Sequence, residues 1–213
     1  MRFFSYDSKF TQLMLKLCYA CYLNLLWFVC SLPVFTAGAA TTALYYVCLK
    51  IVRDEEHHVG RLFFHAFRDN FKQATALWLI MLGAGLFLGG DMYIVWHLRQ
   101  SAAGSAAVLW TLVLAFLIAV SVVYVIVLTY LFPLMASVEN TNRAMLKNSF
   151  LIGTHYLFAT LLVFAVHFAM FFAVVRIFTP LIVFGEGLCA LLSAWLLNGI
   201  LISVSGEPDE DEA

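Results

Sequence analysis

Residues 33–75, PVFTAGAATTALYYVCLKIVRDEEHHVGRLFFHAFRDNFKQAT, hold the longest polar interruption in a chain that is otherwise nearly all apolar. Three textures follow one another in it. Thr36–Val52 is apolar and rich in small residues, Arg53–His58 is a charged connector, and Arg61–Lys72 is amphipathic. In this last segment Phe63, Phe64, Phe67 and Phe71 recur at intervals of one, three and four, while Arg61, His65, Arg68 and Lys72 take the other face. That spacing predicts a helix with an aromatic face and a cationic face, the pattern of an element lying at a membrane surface. Its fold context comes from what flanks it on both sides, which is long apolar sequence.

Of the 213 residues, 63% are hydrophobic and 12% charged, about half the roughly 25% charge of ordinary globular chains. Mean hydropathy is +0.92. The composition excludes a soluble domain, and the apolar runs are continuous rather than alternating, which excludes a β-barrel. The expected class is all-α, a polytopic transmembrane helical bundle in one domain, residues 1–205. Spans are predicted at about 13–32, 36–52, 73–97, 106–132, 155–178 and 181–204. Pro33 and Pro133 are expected to end the first and fourth, because proline lacks the N–H that continues a helix. The second is short, and either crosses with some thinning of the bilayer or dips in and returns. Its Ala37, Gly38, Ala39, Ala40 and Ala43 offer a smooth surface for close helix contact, and Gly85 and Gly89 in the third do the same. Residues 1–12, with Arg2 and Lys9 among aromatics, read as an interfacial lead-in, and the apolar character continues past Ala37-Gly38-Ala39, unlike a cleaved leader. Residues 206–213, carrying five acids, read as a disordered tail. Without those acids the chain has twelve cations against the remaining eight of thirteen acids.

Lys50, Arg53, Arg61, Arg68 and Lys72 share one loop, and Arg143 and Lys147 occupy another on the same side, while only Arg99 and Arg176 fall opposite. Basic loops face the cytoplasm. Six spans with both termini cytoplasmic in a bacterial cell membrane satisfy this count, with five spans and an external N-terminus as the alternative.

No catalytic constellation emerges, and the chain reads as a non-enzyme. Asp54-Glu55-Glu56-His57-His58 has the residue types of a metal or acid–base cluster but lacks the HExxH spacing, and there is no GxSxG or Walker A sequence. No cofactor or metal is expected. The five cysteines all lie in apolar segments and read as reduced packing residues. Two groups of site candidates remain. Arg61, Phe63, Phe67, Arg68, Phe71 and Lys72 are either a docking surface for a partner or a helix resting on the inner leaflet. Asn24, Asp91, His167 and Arg176, with Glu186 and Asn198, are the polar groups that cost most to bury in a bilayer. Asp91 and Arg176 are expected toward the same outer side and within reach of each other. They line a transport path or hold the bundle together.

The segments LPVFTAGAATTALYYVCLKIVRDEE and FFHAFRDNFKQATALW resemble the YesL-like family of bacterial integral membrane proteins, and FPLMASVENTNRAMLKNSFLIG continues the likeness more weakly to Gly153. The family has no assigned activity and no catalytic residues to transfer. What the resemblance implies is a neighbourhood, since members are often encoded beside carbohydrate ABC transporter components. The cytoplasmic EAA loop of importer permeases, Glu-Ala-Ala-x-x-x-Gly, is missing from both basic loops. The expected function is therefore an accessory or assembly component of such a system, with a small independent transporter as the alternative. The expected partners are the lipid bilayer and sugar ABC transporter subunits, and no nucleic acid.

Overall fold

The computed structural model describes residues 9–55, 57–177 and 181–205. The expected lead-in at residues 1–8 and the acidic tail at 206–213 lie outside the described residues. Eight α-helices follow in order: α1 (Lys9–Ser31), α2 (Ala37–Val52), α3 (Val59–Asp69), α4 (Phe71–Ser101), α5 (Ser105–Ser137), α6 (Asn142–His155), α7 (Leu157–Arg176) and α8 (Ile182–Ser205). A 3-10 turn, Val34–Thr36, leads into α2. Six helices are long and apolar enough to cross a membrane, namely α1, α2 with its leading turn, α4, α5, α7 and α8. Among the described residues there is no strand.

Pro33 separates α1 from α2 as proline requires, since the residue before it is pushed out of helical geometry. Thr36 then closes the corner: its N–H donates to Pro33 O at 2.8 Å, and its hydroxyl reaches Cys30 O at 2.5 Å and Pro33 O at 2.6 Å. Pro133, expected to end a span, instead sits inside α5, which runs on to Ser137. The segment Tyr130–Ala136 around it is wholly buried, so neighbouring helices hold the backbone where a hydrogen bond is lost, as in other membrane helices. The polar stretch after it is also helical, with Thr141 Oγ1 capping α6 by accepting from Ala144 N at 3.4 Å.

The short helix α2 is the centre of the molecule. Two thirds of its span is buried (67%), against 17% for α1 and 11% for α4. Helices α1, α3, α4, α5 and α8 all pack against it, α7 lies outside α8, and α6 lies along α5. Leu44, Val47, Cys48 and Ile51 of α2 are fully enclosed, meeting a core that includes Leu23, Leu77, Tyr130 and Leu197. The small residues make this closeness possible. A Cβ on Gly38 would collide with the Trp78 side chain and come within 2.6 Å of Ala74 O; the Trp78 indole in turn donates to Val34 O at 2.7 Å. At Gly187 of α8 a Cβ would run into the carbonyl of Ala20, with Asn24 Cβ 2.9 Å away. The close approaches expected at Gly85 and Gly89 do not occur between backbones. Gly85 makes room for the Tyr124 ring, whose hydroxyl donates to Met81 O at 2.9 Å, and Gly89 has nothing within 4 Å of its Cβ position.

The hairpin of α4 and α5 outreaches the rest. At 31 residues, α4 is about 46 Å long at 1.5 Å per residue, well beyond the roughly 30 Å of hydrocarbon it must cross. Its far half exposes Leu86, Phe87, Tyr93 and Ile94, and α5 exposes Val108, Leu112 and Phe116 beside them, surface suited to lipid rather than water.

The two ends of the bundle differ in charge. Lys16 pairs with Asp54 at 2.7 Å, Arg53 Nε donates to Asn198 Oδ1 at 2.9 Å, and Gln73 Nε2 donates to Asn140 O at 2.6 Å. The first two contacts bring the start of α1 and the ends of α2 and α8 to one end, and the third joins the start of α4 to the loop between α5 and α6. Most of the cations lie at this basic end; Arg99 and Arg176 close α4 and α7 at the other. Six described helices have the length and apolar character of spans, and α1 begins at the end where α8 finishes, as the six-span count expects.

Gly187→Ala is expected to lower stability by about 1–3 kcal/mol through overpacking against α1, while Gly89→Ala is expected to be neutral or slightly stabilising. Thermal unfolding of both variants in mild detergent, followed by monodispersity, checks the contrast.

Candidate functional sites at the basic end and inside the bundle

At the basic end the amphipathic segment Arg61–Lys72 is not one helix. The chain breaks at Asn70, whose backbone N–H and side-chain amide both donate to Ala66 O at 3.1 Å, and Phe71 and Lys72 open α4. The phenylalanines face inward. Phe63 is fully buried in the core, Phe67 and Phe71 pack against that core, and their rings form a ladder with centroids 6.4 and 5.5 Å apart. The ridge expected to anchor in the membrane surface is thus seated on the bundle, with only Phe64, 44% exposed, left outside. Arg61, Arg68 and Lys72 remain exposed, and His65 Nδ1 meets Asp69 Oδ2 at 2.6 Å between them.

The connector before α3 folds its acids onto lysines. Asp54 takes Lys16, and Glu55 pairs with Lys50 one turn back on α2. Glu56 lies outside the described residues, and His57 and His58 are exposed. Among the described residues no three His, Cys, Asp or Glu side chains assemble as a metal site. Asp54 and His58 both adopt left-handed backbone, at φ 54° and 52°, which side chains other than glycine adopt at some cost. The paired Asp54 and the start of α3 hold this sharp return.

Inside the bundle the polar residues take separate roles. Asn24 is buried, and its Oδ1 accepts the Gly187 N–H at 2.8 Å, joining α1 to α8 at their closest approach. Asn198 holds Arg53. Asp91 is partly buried on α4 and Arg176 is exposed on α7; no ion pair joins them among the described residues, because α4 packs on α5 and α2 whereas α7 packs on α8 and α5. His167 does find an acid, and it is Glu186. Their side chains interact electrostatically across the α7–α8 pair, and the Tyr45 hydroxyl of α2 lies within the same field beside Ser193. His167 Nδ1 is 2.9 Å from Val163 O, and since a carbonyl only accepts, Nδ1 carries the hydrogen and Nε2 is the free nitrogen.

Two cavities border this pair. The smaller, about 240 Å³, lies among α2, α4, α5 and α7, where Thr41, Tyr45 and Thr129 are its hydroxyl-bearing residues. The larger, about 670 Å³, opens among α1, α7 and α8 and is lined by Trp27, Phe28, Ser31 and Phe171. His167 and Glu186 line both. The sequence signal for the pairing is that the two residues stand nearly equidistant from the end of α7, so that two antiparallel helices bring them level.

Fold and polar interior together define a polytopic α-helical membrane protein with a basic end and a closed central helix. Residues 20–92 match the family described as "Protein of unknown function, DUF624". The chain is also 29% identical over 196 residues, 90% of its own length and 89% of the relative's, to "Uncharacterized protein YesL" of Bacillus subtilis (strain 168). The chain is thus similar to that family over residues 20–92 and to that relative over most of its length. No solved structure matches it.

Asn24→Ala is expected to cost about 1–3 kcal/mol, the penalty for stripping a buried partner from an N–H that it satisfies. Denaturant or thermal unfolding in detergent reads the loss directly, and Asn24→Asp, which keeps an acceptor oxygen, tests whether the hydrogen bond or the side-chain volume matters.

Proposed function

We propose that the protein is an accessory or assembly component of a carbohydrate ABC transport system in the bacterial cell membrane, docking to an acidic surface of a membrane partner through α3 and the first turn of α4. The observation that carries this reading is the division of labour in that segment. Phe63, Phe67 and Phe71 are used up in holding α3 to the bundle, so Arg61, Arg68 and Lys72 are displayed in a fixed arrangement rather than left on a floating helix. A rigid cationic surface steers and orients an acidic partner. The carbohydrate association rests on the family resemblance, and the missing permease loop favours an accessory. The basic end, with both termini, faces the cytoplasm in this reading, because basic loops are retained there. A small independent transporter is the second reading, favoured by the two cavities that meet at His167 and Glu186.

Reversing Arg61, Arg68 and Lys72 to Glu is expected to leave folding intact and to lower recovery of co-purifying transporter subunits about tenfold or more, equivalent to at least 1.4 kcal/mol. Equal recovery of the same subunits would sink the docking reading, as would loss of binding to anionic liposomes alone with partner recovery unchanged. For the orientation, cysteines placed at Ser101 and His57 in a background without reactive thiols are expected to react with an impermeant maleimide in intact cells at the first position only. Labelling of His57→Cys from outside would invert the proposed topology.

A further inference from the structure

We propose that Glu186 and His167 form a proton-loading site inside the bundle, taking up and releasing one proton through the cavities on either side of them. This goes beyond the docking reading and does not rest on it. The pair occupies the only position shared by the linings of both cavities described above. Both cavities lie toward the end where α1 turns into α2, one among α1, α7 and α8 and the other among α2, α4, α5 and α7. The larger runs along the last turns of α1 and α7, past Trp27–Leu32 and Val174, toward the end where α1 turns into α2. The smaller lies beside Thr41 in the first half of α2 and Trp78 of α4, whose indole donates to Val34 O at 2.7 Å, so it too lies toward that turn. An acid that exchanges a proton needs a cavity beside it, and this pair borders two.

The chemistry of the pair suits one proton. With Nδ1–H committed to Val163 O, His167 turns Nε2 toward exchange. In the unloaded state Glu186 is a carboxylate and His167 is neutral, which leaves one negative charge at bilayer depth. In the loaded state one proton from water rests on the Glu186 carboxyl or on His167 Nε2, giving acid and neutral imidazole or carboxylate and imidazolium, and the site is neutral. The proton leaves by the reverse step, and no other bond changes. Intramembrane acids and histidines in series are the residue types that relay protons. The other groups facing Glu186 do not compete for this role: α2 presents Tyr45 and Cys48, and α8 itself presents Cys189. From α1 come the neutral Asn24, already bonded to Gly187, and Ser31, whose buried hydroxyl has no hydrogen-bond partner. From α5 comes Thr129, bonded to Val125 O at 2.8 Å. Ser31 and the cavity water it would hold give the proton a polar stop on the way in.

Infrared difference spectra of the full-length protein in lipid nanodiscs, recorded between alkaline and acidic pH, test the proposal. A protonated-carboxyl carbonyl band is expected to grow on acidification, to disappear in Glu186→Gln and to persist in Asp91→Asn. In His167→Gln its midpoint is expected to move by one pH unit or more, a tenfold change in proton affinity. A Glu186 band that stays constant at every pH, marking a permanently protonated structural acid, would overturn the proposal, as would a titrating band unaffected by Glu186→Gln. Should Glu186→Gln fail to fold, the ¹⁵N resonance of His167 Nε2 in the wild-type protein gives the same answer. A change with pH while Nδ1 stays protonated supports the site, and an invariant Nε2 refutes it.

Discussion

The structure depends on enclosing a 16-residue helix on all sides within a membrane bundle. A helix that meets lipid needs only to be apolar, but one that meets five other helices must let their backbones come close. In a bilayer there is no hydrophobic gain in moving an apolar side chain from lipid to protein, so association rests on packing and on hydrogen bonds. Gly38, Ala39, Ala40 and Ala43 answer the first requirement, with every one of them buried. The second is met by side chains that bridge helices. Trp27 donates to Thr41 at 3.0 Å, Trp78 to the carbonyl of Val34, and Tyr124 to the carbonyl of Met81. Shortness follows from the position, since α2 reaches only as far as its neighbours can cover it.

The same helix explains why the ends of the bundle are held by polar contacts and its middle by apolar ones. At the basic end Arg53 and Asp54, just past α2, tie it to α8 through Asn198 and to α1 through Lys16. These contacts are partly exposed, and pairs in such places contribute little each, of the order of 0–1 kcal/mol. Their value lies in register, because they fix which residues of α1 and α8 stand beside α2. Asn24 and Gly187 fix the same α1–α8 pairing deeper in the membrane, where a hydrogen bond to a buried group is harder to replace.

Much of this was legible in the residues. Apolar runs give the all-α class and six helices of span length. The small-residue stretch gives away a close contact, and its later place as the hub follows once the 16 residues are seen to be too few to reach water unaided. What stayed hidden depended on partners far away in the chain. Periodicity says that Phe63, Phe67 and Phe71 share a face, but lipid and a helix bundle ask for the same face, and only the packing of α3 on α2 decides between them. Gly85 and Gly89 have the spacing of an interface, yet a spacing does not say whether a backbone or a tyrosine ring fills the gap. Pro133 breaks helices in water, where nothing restrains the kink; walled in by Tyr130, Leu131 and Leu134, α5 continues past it. Asp91 and Arg176 were the natural pair by charge and depth, but helix adjacency gives His167 to Glu186 instead.

Because α2 is the hub, the two candidate sites are not independent mechanically. The basic surface of α3 is fastened through Phe63 to the core around α2, and Tyr45, in the middle of α2, stands beside Glu186. A close-packed interior responds to displacement by shifting whole elements, since its side chains have little free space in which to absorb it. A load applied to Arg61 and Arg68 therefore passes to the inward phenylalanines before it reaches any flexible joint. The connector 53–58 gives little slack, with two left-handed residues and two ion-paired acids in six positions. At the other end of α2, Thr36 and Trp78 hold the turn against α1 and α4. Movement left to α2 is then along or about its own axis, and that is the direction in which Tyr45 would slide past Glu186 and change how the two cavities meet.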